Sequence, residues 1–312
     1  MDQTNIIFFG STAESVIVLE KLSAYGDSRL AAAVTQPPRP AGRHGELTPT
    51  PVDSWAKSHN IPVLSFPSDK QKPWLYENEQ TVVDALQPFK ADLLISASYG
   101  QKIPTQTIQS ARFGGLNVHP SLLPRWRGAN PVPWAILSGD AQTGVTILTL
   151  AEKFDEGKII AQKKIPIFPT DTTTLLYPKL FALGADLFVK ILPEYLSEKN
   201  KETPQVPSQP TPGVEQLYTS GISSYARRLT RDDGFEPWQN LQKAIHTGNE
   251  ADRIDRKFRA LDPWPGLWST ILIKNQKKRL KILKLHLQED KLILDEVQLE
   301  SKKPTSYRQF LR

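Results

Sequence analysis

The sequence predicts an α/β protein with a smaller β-rich part in its last third. Short apolar runs recur through the first half of the chain, and segments with helical spacing separate several of them. Alternation of this kind favours a twisted, mostly parallel sheet that helices cover on both faces. In the last third, one helical segment precedes several strand-like segments, which indicates a small β-barrel or a related open sheet.

The first part of the chain supplies the strands of the larger sheet. The runs predicted as strands are NIIFF (5–9), LAAAVT (30–35), IPVLSF (61–66), DLLISAS (92–98), GLNVH (115–119) and GVTILTL (144–150). Helical spacing runs from Glu14 to Leu22 and from Val82 to Phe89. After KIPIF (164–168), a long helix has one apolar face, formed by Leu176, Leu180, Leu183, Leu187 and Ile191. Because Pro178 lies inside this pattern, we expect the helix to begin near Tyr177 or to kink there.

A proline-rich stretch with little apolar periodicity, PEYLSEKNKETPQVPSQPTPG, is typical of an extended linker. We therefore predict an N-terminal domain over residues 1–193, a linker over 194–213 and a C-terminal domain over 214–312. In the C-terminal domain, NEADRIDRKFRAL (249–261) predicts a helix. The segments predicted as strands there are LWSTILI (267–273), RLKILKLHL (279–287) and KLILDEVQL (291–299).

The composition excludes several classes of site. The chain has no cysteine, which removes disulfides, thiolate nucleophiles and cysteine-bound zinc or iron–sulfur centres. No two of its five histidines have metal-ligand spacing, so we expect no metal; they are His44, His59, His119, His246 and His286. No apolar run approaches the length of about 18 residues that indicates a membrane span, and no signal-peptide pattern precedes the first strand. We therefore expect a soluble, cytoplasmic protein.

The net charge of +6 is concentrated near the C-terminus. Residues 1–204 contain 20 basic and 20 acidic side chains, whereas residues 205–312 contain 19 basic and 13 acidic ones. Such asymmetry favours an acidic macromolecular partner, with nucleic acid as the first candidate, although ordinary solvated surfaces also carry a surplus of this size.

Asn117 and His119 end a predicted strand of the larger sheet. Because side chains alternate along a strand, both project from the same side of the chain. In α/β sheets, ligands bind at the carboxyl ends of the strands. An imidazole can transfer a proton near neutral pH, and a carboxamide N–H can donate to a developing oxyanion. The alternative is that Asn117 caps backbone groups and His119 is a hydrogen-bonded turn residue.

Other candidate residues lie in the turns near this strand end. FDEG (154–157) follows the strand GVTILTL, and Asp155 could orient the histidine and stabilise its protonated form, or belong to a simple surface turn. Arg125 and Arg127 lie in a proline-bracketed loop, where guanidinium groups can bind carboxylates or phosphates. The turn after the first strand has Gly10 as its only glycine, so the fingerprint of a dinucleotide cofactor is missing.

These motifs, in their order and spacing, resemble the methionyl-tRNA formyltransferase family along nearly the whole chain. The segments that carry the resemblance are TQPPRPAGR (35–43), LTPTPV (47–52), SYGQKIP (98–104), GLNVHPSLLPRWRGANPV (115–132), GDAQTGVTIL (139–148), RLTRDDG (228–234), IDRKFRALDPWPG (254–266) and LESKKPTSYRQFL (299–311). The resemblance implies a Rossmann-like, mostly parallel N-terminal domain and an OB-like C-terminal β-barrel. It also implies transfer of a formyl group from 10-formyltetrahydrofolate to the α-amine of methionyl initiator tRNA, by a cytoplasmic monomer without a metal.

The resemblance assigns roles to individual positions. The catalytic residues implied are Asn117, His119 and Asp155. The folate-binding residues implied are Tyr99, Gly100, Gln101, Ile103, Pro104, Ser121, Leu122, Leu123 and Pro124. The predicted tRNA-binding residues, which combine the resemblance with basic spacing, are Arg43, Arg125, Arg127, Arg253, Arg256, Lys257, Lys277, Lys278, Arg279 and Lys281. For the basic residues of the C-terminal domain, a solvated surface without a partner is the alternative.

Three other interpretations compete with this one. The first is an enzyme of the same superfamily that formylates an amino group of a nucleotide-linked sugar, although it gives the C-terminal domain no reason to be basic. The second is a nicotinamide oxidoreductase, which the missing glycine fingerprint disfavours. The third is a nucleic-acid-binding protein with an inactive catalytic domain, against which the intact trio of Asn117, His119 and Asp155 is evidence.

Overall fold

The computed structural model describes residues 3–41, 45–198 and 224–312. The chain divides into two compact units, and each is built from separate stretches of sequence. Unit 1 comprises residues 1–129, 144–165 and 177–225, and unit 2 comprises residues 130–143, 166–176 and 226–312. Two short stretches from the first two thirds of the chain thus belong to the same unit as the C-terminal residues.

The strands before the C-terminal region follow the predicted runs, with two short additions. They are β1 (Thr4–Gly10), β2 (Ser28–Thr35), β3 (Arg39–Ala41), β4 (Glu46–Thr48), β5 (Val63–Ser65), β6 (Leu93–Ala97), β7 (Gly115–His119), β8 (Arg127–Gly128), β9 (Gln142–Thr149) and β10 (Ile159–Pro166). Seven of these strands form one sheet in the order β10-β9-β7-β6-β1-β2-β5. Four neighbouring pairs are parallel, namely β5–β2, β2–β1, β1–β6 and β6–β7. Strands β7 and β9 pair antiparallel. The mostly parallel sheet predicted from the sequence is confirmed.

Helices connect these strands. They are α1 (Ala13–Ser23), α2 (Pro51–Ser58), α3 (Glu79–Leu86), α4 (Thr105–Ser110), α5 (Pro131–Leu137) and α6 (Thr173–Glu198). Hydroxyl groups define where two of them begin: Thr12 caps α1 in a reciprocal arrangement with Ser15, and Thr50 accepts from the backbone N–H of Asp53 at the start of α2.

The alternating side chains of the central strands fill two apolar layers, one on each face of the sheet. Ile6 and Phe8 of β1 belong to the layer that also contains Val118, whereas Ile7 and Phe9 belong to the opposite layer. Burying both faces explains why the central strands read as nearly continuous apolar runs.

Helix α6 differs from the prediction at its start. It begins at Thr173 rather than near Tyr177, and Pro178 and Pro193 both lie inside it. Neither proline can donate a backbone hydrogen bond to the carbonyl four residues earlier, and the helix continues through both positions. The helix also extends to Glu198, into the range predicted as a linker, and the rest of that range lies outside the described residues.

Unit 2 contains a small antiparallel sheet with helices. Its C-terminal elements, together with the short strand that precedes them, are β11 (Tyr225–Ala226), α7 (Trp238–Thr247), α8 (Ala251–Ala260), β12 (Leu267–Ile273), β13 (Gln276–Gln288), β14 (Lys291–Leu299), β15 (Thr305–Ser306) and α9 (Tyr307–Phe310). Strands β12 to β15 pair in chain order, as the β-rich C-terminal prediction requires. Within the described residues, the two edge strands β12 and β15 do not pair with each other, so this is an open sheet and not a closed barrel.

The core of this small sheet is formed by side chains from one face of each strand and from α7 and α8. Leu280 and Val297 are completely buried there, together with Leu241 and Ile254 of the two helices. Among the helices of the described residues, none is both long and apolar enough to cross a bilayer.

Candidate active site

Strand β7 brings Asn117 and His119 to one face of the larger sheet, as their spacing predicts. The residues between and before them, Leu116 and Val118, fill the apolar layer on the other face. His119 is 5 % exposed and lies opposite Thr146 in the β7–β9 pairing. The imidazole is therefore held in a buried position at the carboxyl end of a parallel strand.

Asp155 reaches the same place from the loop between β9 and β10. The loop is closed at its base by two bonds, Thr149 N–H to the carbonyl of Lys158 and Lys158 N–H to Oγ1 of Thr149, both 2.9 Å. Gly157 passes so close to Thr149 that a Cβ at this position would lie 1.6 Å from its carbonyl oxygen. Asp155 has φ +56°, a left-handed conformation that aspartate adopts more readily than most residues. The loop geometry thus turns its carboxylate inward.

The three side chains converge on one another. Oδ1 of Asp155 lies 3.3 Å from Nδ1 of His119 and accepts a long hydrogen bond of 3.4 Å from Nδ2 of Asn117. Its other oxygen, Oδ2, accepts from the backbone N–H of Gly128 at 2.8 Å. The carboxylate therefore connects the loop after β7 to both candidate catalytic side chains.

The two ring nitrogens of His119 face different acceptors. Nε2 lies 3.0 Å from the carbonyl oxygen of Trp126, and Nδ1 lies 3.3 Å from Oδ1 of Asp155. Both oxygens are acceptors, and we assign the proton of the neutral ring to Nε2 because its contact is the shorter one. Nδ1 is then the position that gains or loses a proton, and it faces Asp155. A proton that arrives there is stabilised by the carboxylate.

The segment predicted to bind folate follows β6. Tyr99 is buried, its hydroxyl accepts a hydrogen bond of 2.9 Å from Tyr76, and burial raises the pKa of both phenols. Gly100 has φ +88°, and the Gln36 side chain packs where a Cβ would lie. Gln101 is 3 % exposed, and within the described residues neither its carboxamide oxygen nor its nitrogen has a partner. Burying such a group without hydrogen bonds is costly, so a ligand with donors and acceptors along one edge fits this segment.

The remaining predicted folate residues lie in and around buried structure. Ile103 is 5 % exposed, and Pro104 immediately precedes α4. Ser121 is completely buried, and its hydroxyl donates to the carbonyl of Arg125 at 2.8 Å, so it is occupied within its own turn. Leu123 is also buried, and its backbone N–H and carbonyl bind Thr146 and Gln162. In this turn, partly exposed Leu122 and Pro124 are therefore better placed for contact with a ligand.

Two predicted tRNA-binding arginines lie in the loop that contains Trp126. The guanidinium of Arg125 stacks over the Trp126 ring at 4.5 Å from its centre. Arg127 approaches Glu156 at 3.5 Å, and its Nε is buried without a partner among the described residues. Arg43 lies outside the described residues.

Helix α8 engages its basic residues internally. Arg253 and Lys257 both bind Glu236, which is 2 % exposed, and Arg253 also binds Glu250. Burial acts to raise the pKa of Glu236, but hydrogen bonds from Arg253, Asn240 and Lys257 outweigh it and lower that pKa to about 2. Nε of Arg256 is buried without a partner among the described residues. Two of the three cations predicted on this helix, Arg253 and Lys257, thus serve first as partners of a buried carboxylate.

The basic residues of β13 are more available. Lys277, Arg279 and Lys281 alternate with residues such as buried Leu280 and therefore share the outer face of the small sheet, whereas Lys278 projects toward the opposite face. In the part of the chain that the structure describes, none of these four residues forms an ion pair. Residues of β13 and β14, with the turn that follows, line a shallow pocket: Arg279, Lys281, Gln298, Leu299, Glu300 and Ser301.

The sequence did not reveal the residues that hold other residues in place. Thr146 and Gln162 are bonded to the turn after β7, but a threonine and a glutamine inside apolar strands give no motif. Glu236 was likewise missed. The arginine and lysine at i and i+4 of α8 are the signal that could have suggested a carboxylate partner.

Fold and site together define an α/β enzyme whose candidate reaction centre combines an amide, an imidazole and a carboxylate. Two models of known protein families match the chain. Residues 4–192 match the family described as "Formyl transferase", and residues 242–292 match "Formyl transferase, C-terminal domain". The chain belongs to the formyl transferase family. One relative, the methionyl-tRNA formyltransferase of Listeria monocytogenes serovar 1/2a, is 37% identical over 268 residues, which cover 86% of this chain and 76% of that protein.

Solved structures share the fold. Phosphoribosylglycinamide formyltransferase from Bacillus halodurans has a TM-score of 0.51 and 26% identity, over 62% of this chain and 96% of that one. A sugar N-formyltransferase from a Shewanella species has a TM-score of 0.54 and 17% identity, over 88% of this chain and 95% of that one. The second similarity shows the fold alone.

Proposed function

We propose that this protein transfers the formyl group of 10-formyltetrahydrofolate to the α-amino group of methionyl initiator tRNA. The observation that carries the proposal is the convergence of Asn117, His119 and Asp155 in a member of the formyl transferase family. The relative from Listeria monocytogenes, named a methionyl-tRNA formyltransferase, supports the acceptor. Formylated methionyl initiator tRNA is used for translation initiation.

His119 moves the proton of the reaction. The attacking amine loses a proton and the departing folate nitrogen gains one, so a single group that accepts and then returns a proton serves both steps. In our assignment, Nδ1 of His119 performs this transfer, because Nε2 is committed to the carbonyl of Trp126. Asp155 stabilises the ring while it carries both protons.

Asn117 stabilises negative charge. When the amine attacks the formyl carbon, charge develops on the formyl oxygen, and a fixed N–H donor lowers the energy of that state. Only one N–H of the Asn117 carboxamide points toward Asp155, at a long 3.4 Å, which leaves the other for the substrate. No covalent bond to the enzyme is needed, which agrees with a chain that has no cysteine.

The formyl donor supplies the activated one-carbon unit, and the segment after β6 is the proposed site for its pterin. The unpartnered carboxamide of Gln101 and the backbone around Gly100 offer both donors and acceptors, which a pterin edge requires. Ile103 and Pro104 supply apolar contact, as do Leu122, Leu123 and Pro124 of the turn after β7. Ser121 supports this site by holding the turn, because its hydroxyl, its backbone N–H and its carbonyl are all bonded within the protein.

For the tRNA, we propose the outer face of β12 to β14 as the main basic surface. Lys277, Arg279 and Lys281 lie there without acidic partners among the described residues. Arg253 and Lys257 contribute less, because both are paired with Glu236 and Arg253 is also paired with Glu250. Arg43, Arg125 and Arg127 remain predictions for tRNA binding, with Lys278 and Arg256 as secondary candidates.

Two further features follow from this function. The substrates are charged tRNA and a folate, so we propose that the protein acts in the cytoplasm. We also propose that it acts as a monomer, which the resemblance to the family favours. The domain roles are proposed as well: catalysis by the residues 1–193 and tRNA binding by the residues 214–312.

A competition assay separates this function from its closest alternative. The purified protein is given 10-formyltetrahydrofolate and equal concentrations of methionyl initiator tRNA, free methionine and a nucleotide-linked amino sugar. We expect formylation of the tRNA and almost none of free methionine. Preferential formylation of the amino sugar would establish the alternative and refute the tRNA assignment.

A further inference from the structure

We infer that Thr146 is a positioning residue for the reaction, acting with Ser121 to hold the carbonyl of Trp126 against Nε2 of His119. The inference rests on the proposed function for its kinetic consequence. Its structural content, the fixed proton position on the imidazole ring, can be measured without any substrate. The contacts that carry it form a continuous series from β9 to the ring.

The series begins at the side chain of Thr146, which is completely buried on β9 directly opposite His119. Its hydroxyl donates to the carbonyl of Ser121 at 2.6 Å and accepts from the backbone N–H of Leu123 at 3.1 Å. It also accepts from Nε2 of Gln162 at 2.8 Å. A hydroxyl has one donor and two acceptor positions, and all are used here. Thr146 therefore fixes the backbone on both sides of Leu122.

The next link is the hydroxyl of Ser121. It donates to the carbonyl of Arg125 at 2.8 Å and lies 3.4 Å from the carbonyl of Trp126. Backbone bonds tighten the same turn, from Ser121 N–H to the carbonyl of His119 and from Arg125 N–H to the carbonyl of Leu122. Thr146 and Ser121 thus hold the two ends of the turn from Ser121 to Trp126.

Trp126 needs this support. Its φ is +61°, in the left-handed region that bulky residues rarely adopt, so the surrounding bonds must hold it there. The orientation of its carbonyl depends on this conformation, and that carbonyl is the partner of Nε2 of His119 at 3.0 Å. If the turn relaxes, Nε2 loses its acceptor and the neutral ring is free to place its proton on Nδ1 instead.

The charged groups around the ring do not replace this contact. Asp155 is the carboxylate that faces the ring, through Nδ1, and it favours a proton at that nitrogen. In a neutral ring, Asp155 and the Trp126 carbonyl therefore favour opposite tautomers. The buried series from Thr146 decides this competition in favour of Nε2 and leaves Nδ1 to exchange the proton.

The test uses a pair of variants that differ by one hydroxyl. Thr146→Val keeps the shape of the side chain and removes its hydrogen bonds, whereas Thr146→Ser keeps the hydroxyl. Nitrogen-15 NMR of labelled histidine reports which ring nitrogen carries the proton, and the spectrum of a His119→Gln variant identifies the signals of His119. Formyl transfer is measured in parallel with methionyl initiator tRNA. Ser269→Ala, which removes a buried hydroxyl from unit 2, is the control.

We expect the wild-type and Thr146→Ser proteins to show the Nε2-protonated ring, and Thr146→Val to lose it in part or whole. We expect kcat of Thr146→Val to fall about 10- to 100-fold with KM changed much less, and Thr146→Ser to recover most of this loss. If His119 has the same tautomer in Thr146→Val as in the wild type, the inference is overturned, whether or not kcat falls.

A second variant covers the case in which Thr146→Val does not fold. Ser121→Ala leaves the core of β9 intact and removes only the donor to the carbonyls of Arg125 and Trp126. We expect the same change of tautomer, and an unchanged tautomer again overturns the inference. Failure of the proposed function gives a different result: the tautomer responds as expected while formyl transfer to tRNA is absent in every protein, including the wild type.

Discussion

The backbone N–H of Gly128 holds Oδ2 of Asp155 at 2.8 Å, which leaves Oδ1 to face His119 and Asn117. This division of the two oxygens makes the carboxylate difficult to replace. An asparagine that keeps its oxygen toward the Gly128 N–H must turn its NH2 group toward Nδ1 of His119, where a second donor opposes the protonated ring.

Asp155→Asn therefore tests the carboxylate with little change of shape. We expect kcat for formyl transfer to fall by about 10²–10⁴ while the protein stays folded, because the imidazolium loses its stabilising charge. Steady-state kinetics and circular dichroism check the two parts of the prediction. Glu152→Gln, an exposed carboxylate of the same loop, is the control and should keep wild-type kinetics.

Asn117→Ala tests the proposed oxyanion donor. Because the carboxamide N–H stabilises charge that develops only during the reaction, we expect kcat to fall by about 10²–10³ with a much smaller change in KM. Single-turnover rates with saturating substrates measure the chemical step. A rate within about threefold of the wild type would exclude Asn117 from that role.

Substitutions that remove positive charge from β13 test the basic surface. Lys277→Gln/Lys281→Gln removes two cations that have no ion-pair partner among the described residues, so tRNA affinity should fall and the slope of its logarithm against log salt should decrease by roughly one per lysine. Lys70→Gln/Lys72→Gln makes the same charge change at exposed positions of unit 1 and serves as the control. Equal effects of the two pairs would show that only net charge matters.

The lowered pKa of Glu236 predicts how the stability of the folded protein depends on pH. Its pKa is lowered to about 2 from 4.5, so its ion pairs stabilise the folded state above pH 4.5 and lose this effect as the pH falls toward 2. Glu236→Gln should reduce the free energy of unfolding by about 1–3 kcal/mol at pH 7, and the difference from the wild type should shrink on acidification. Urea unfolding at pH 7 and at pH 3 measures both values. A difference that stays constant with pH would assign the effect to packing.

The sequence predicted the larger sheet well because its strands are buried on both faces and read as apolar runs, as in NIIFF and DLLISAS. It also placed Asn117 and His119 on one face, since strand periodicity requires only local information. It could not predict the left-handed conformation of Trp126 or the bonds of Thr146, because these depend on residues distant in sequence. The long helix shows the same limit: local rules predict a start or a kink near Tyr177, and only the structure shows that the helix begins at Thr173.

The basic residues of α8 show a second kind of limit. Their spacing predicted phosphate contacts, but spacing carries no information about a carboxylate from another segment. Glu236 approaches from the loop before α7 and engages Arg253 and Lys257. The cations on β13 gave a weaker pattern in the sequence and are the ones left available.

The central claim is that His119 and Asp155 act as one unit in formyl transfer. The most direct measurement is the single-turnover rate of His119→Asn, Asp155→Asn and the double variant with methionyl initiator tRNA. Residues that act together lose their effect together, so we predict that the double variant is about as slow as the slower single variant. A double variant slowed by the product of the two single effects would show that these side chains contribute independently, which contradicts the account.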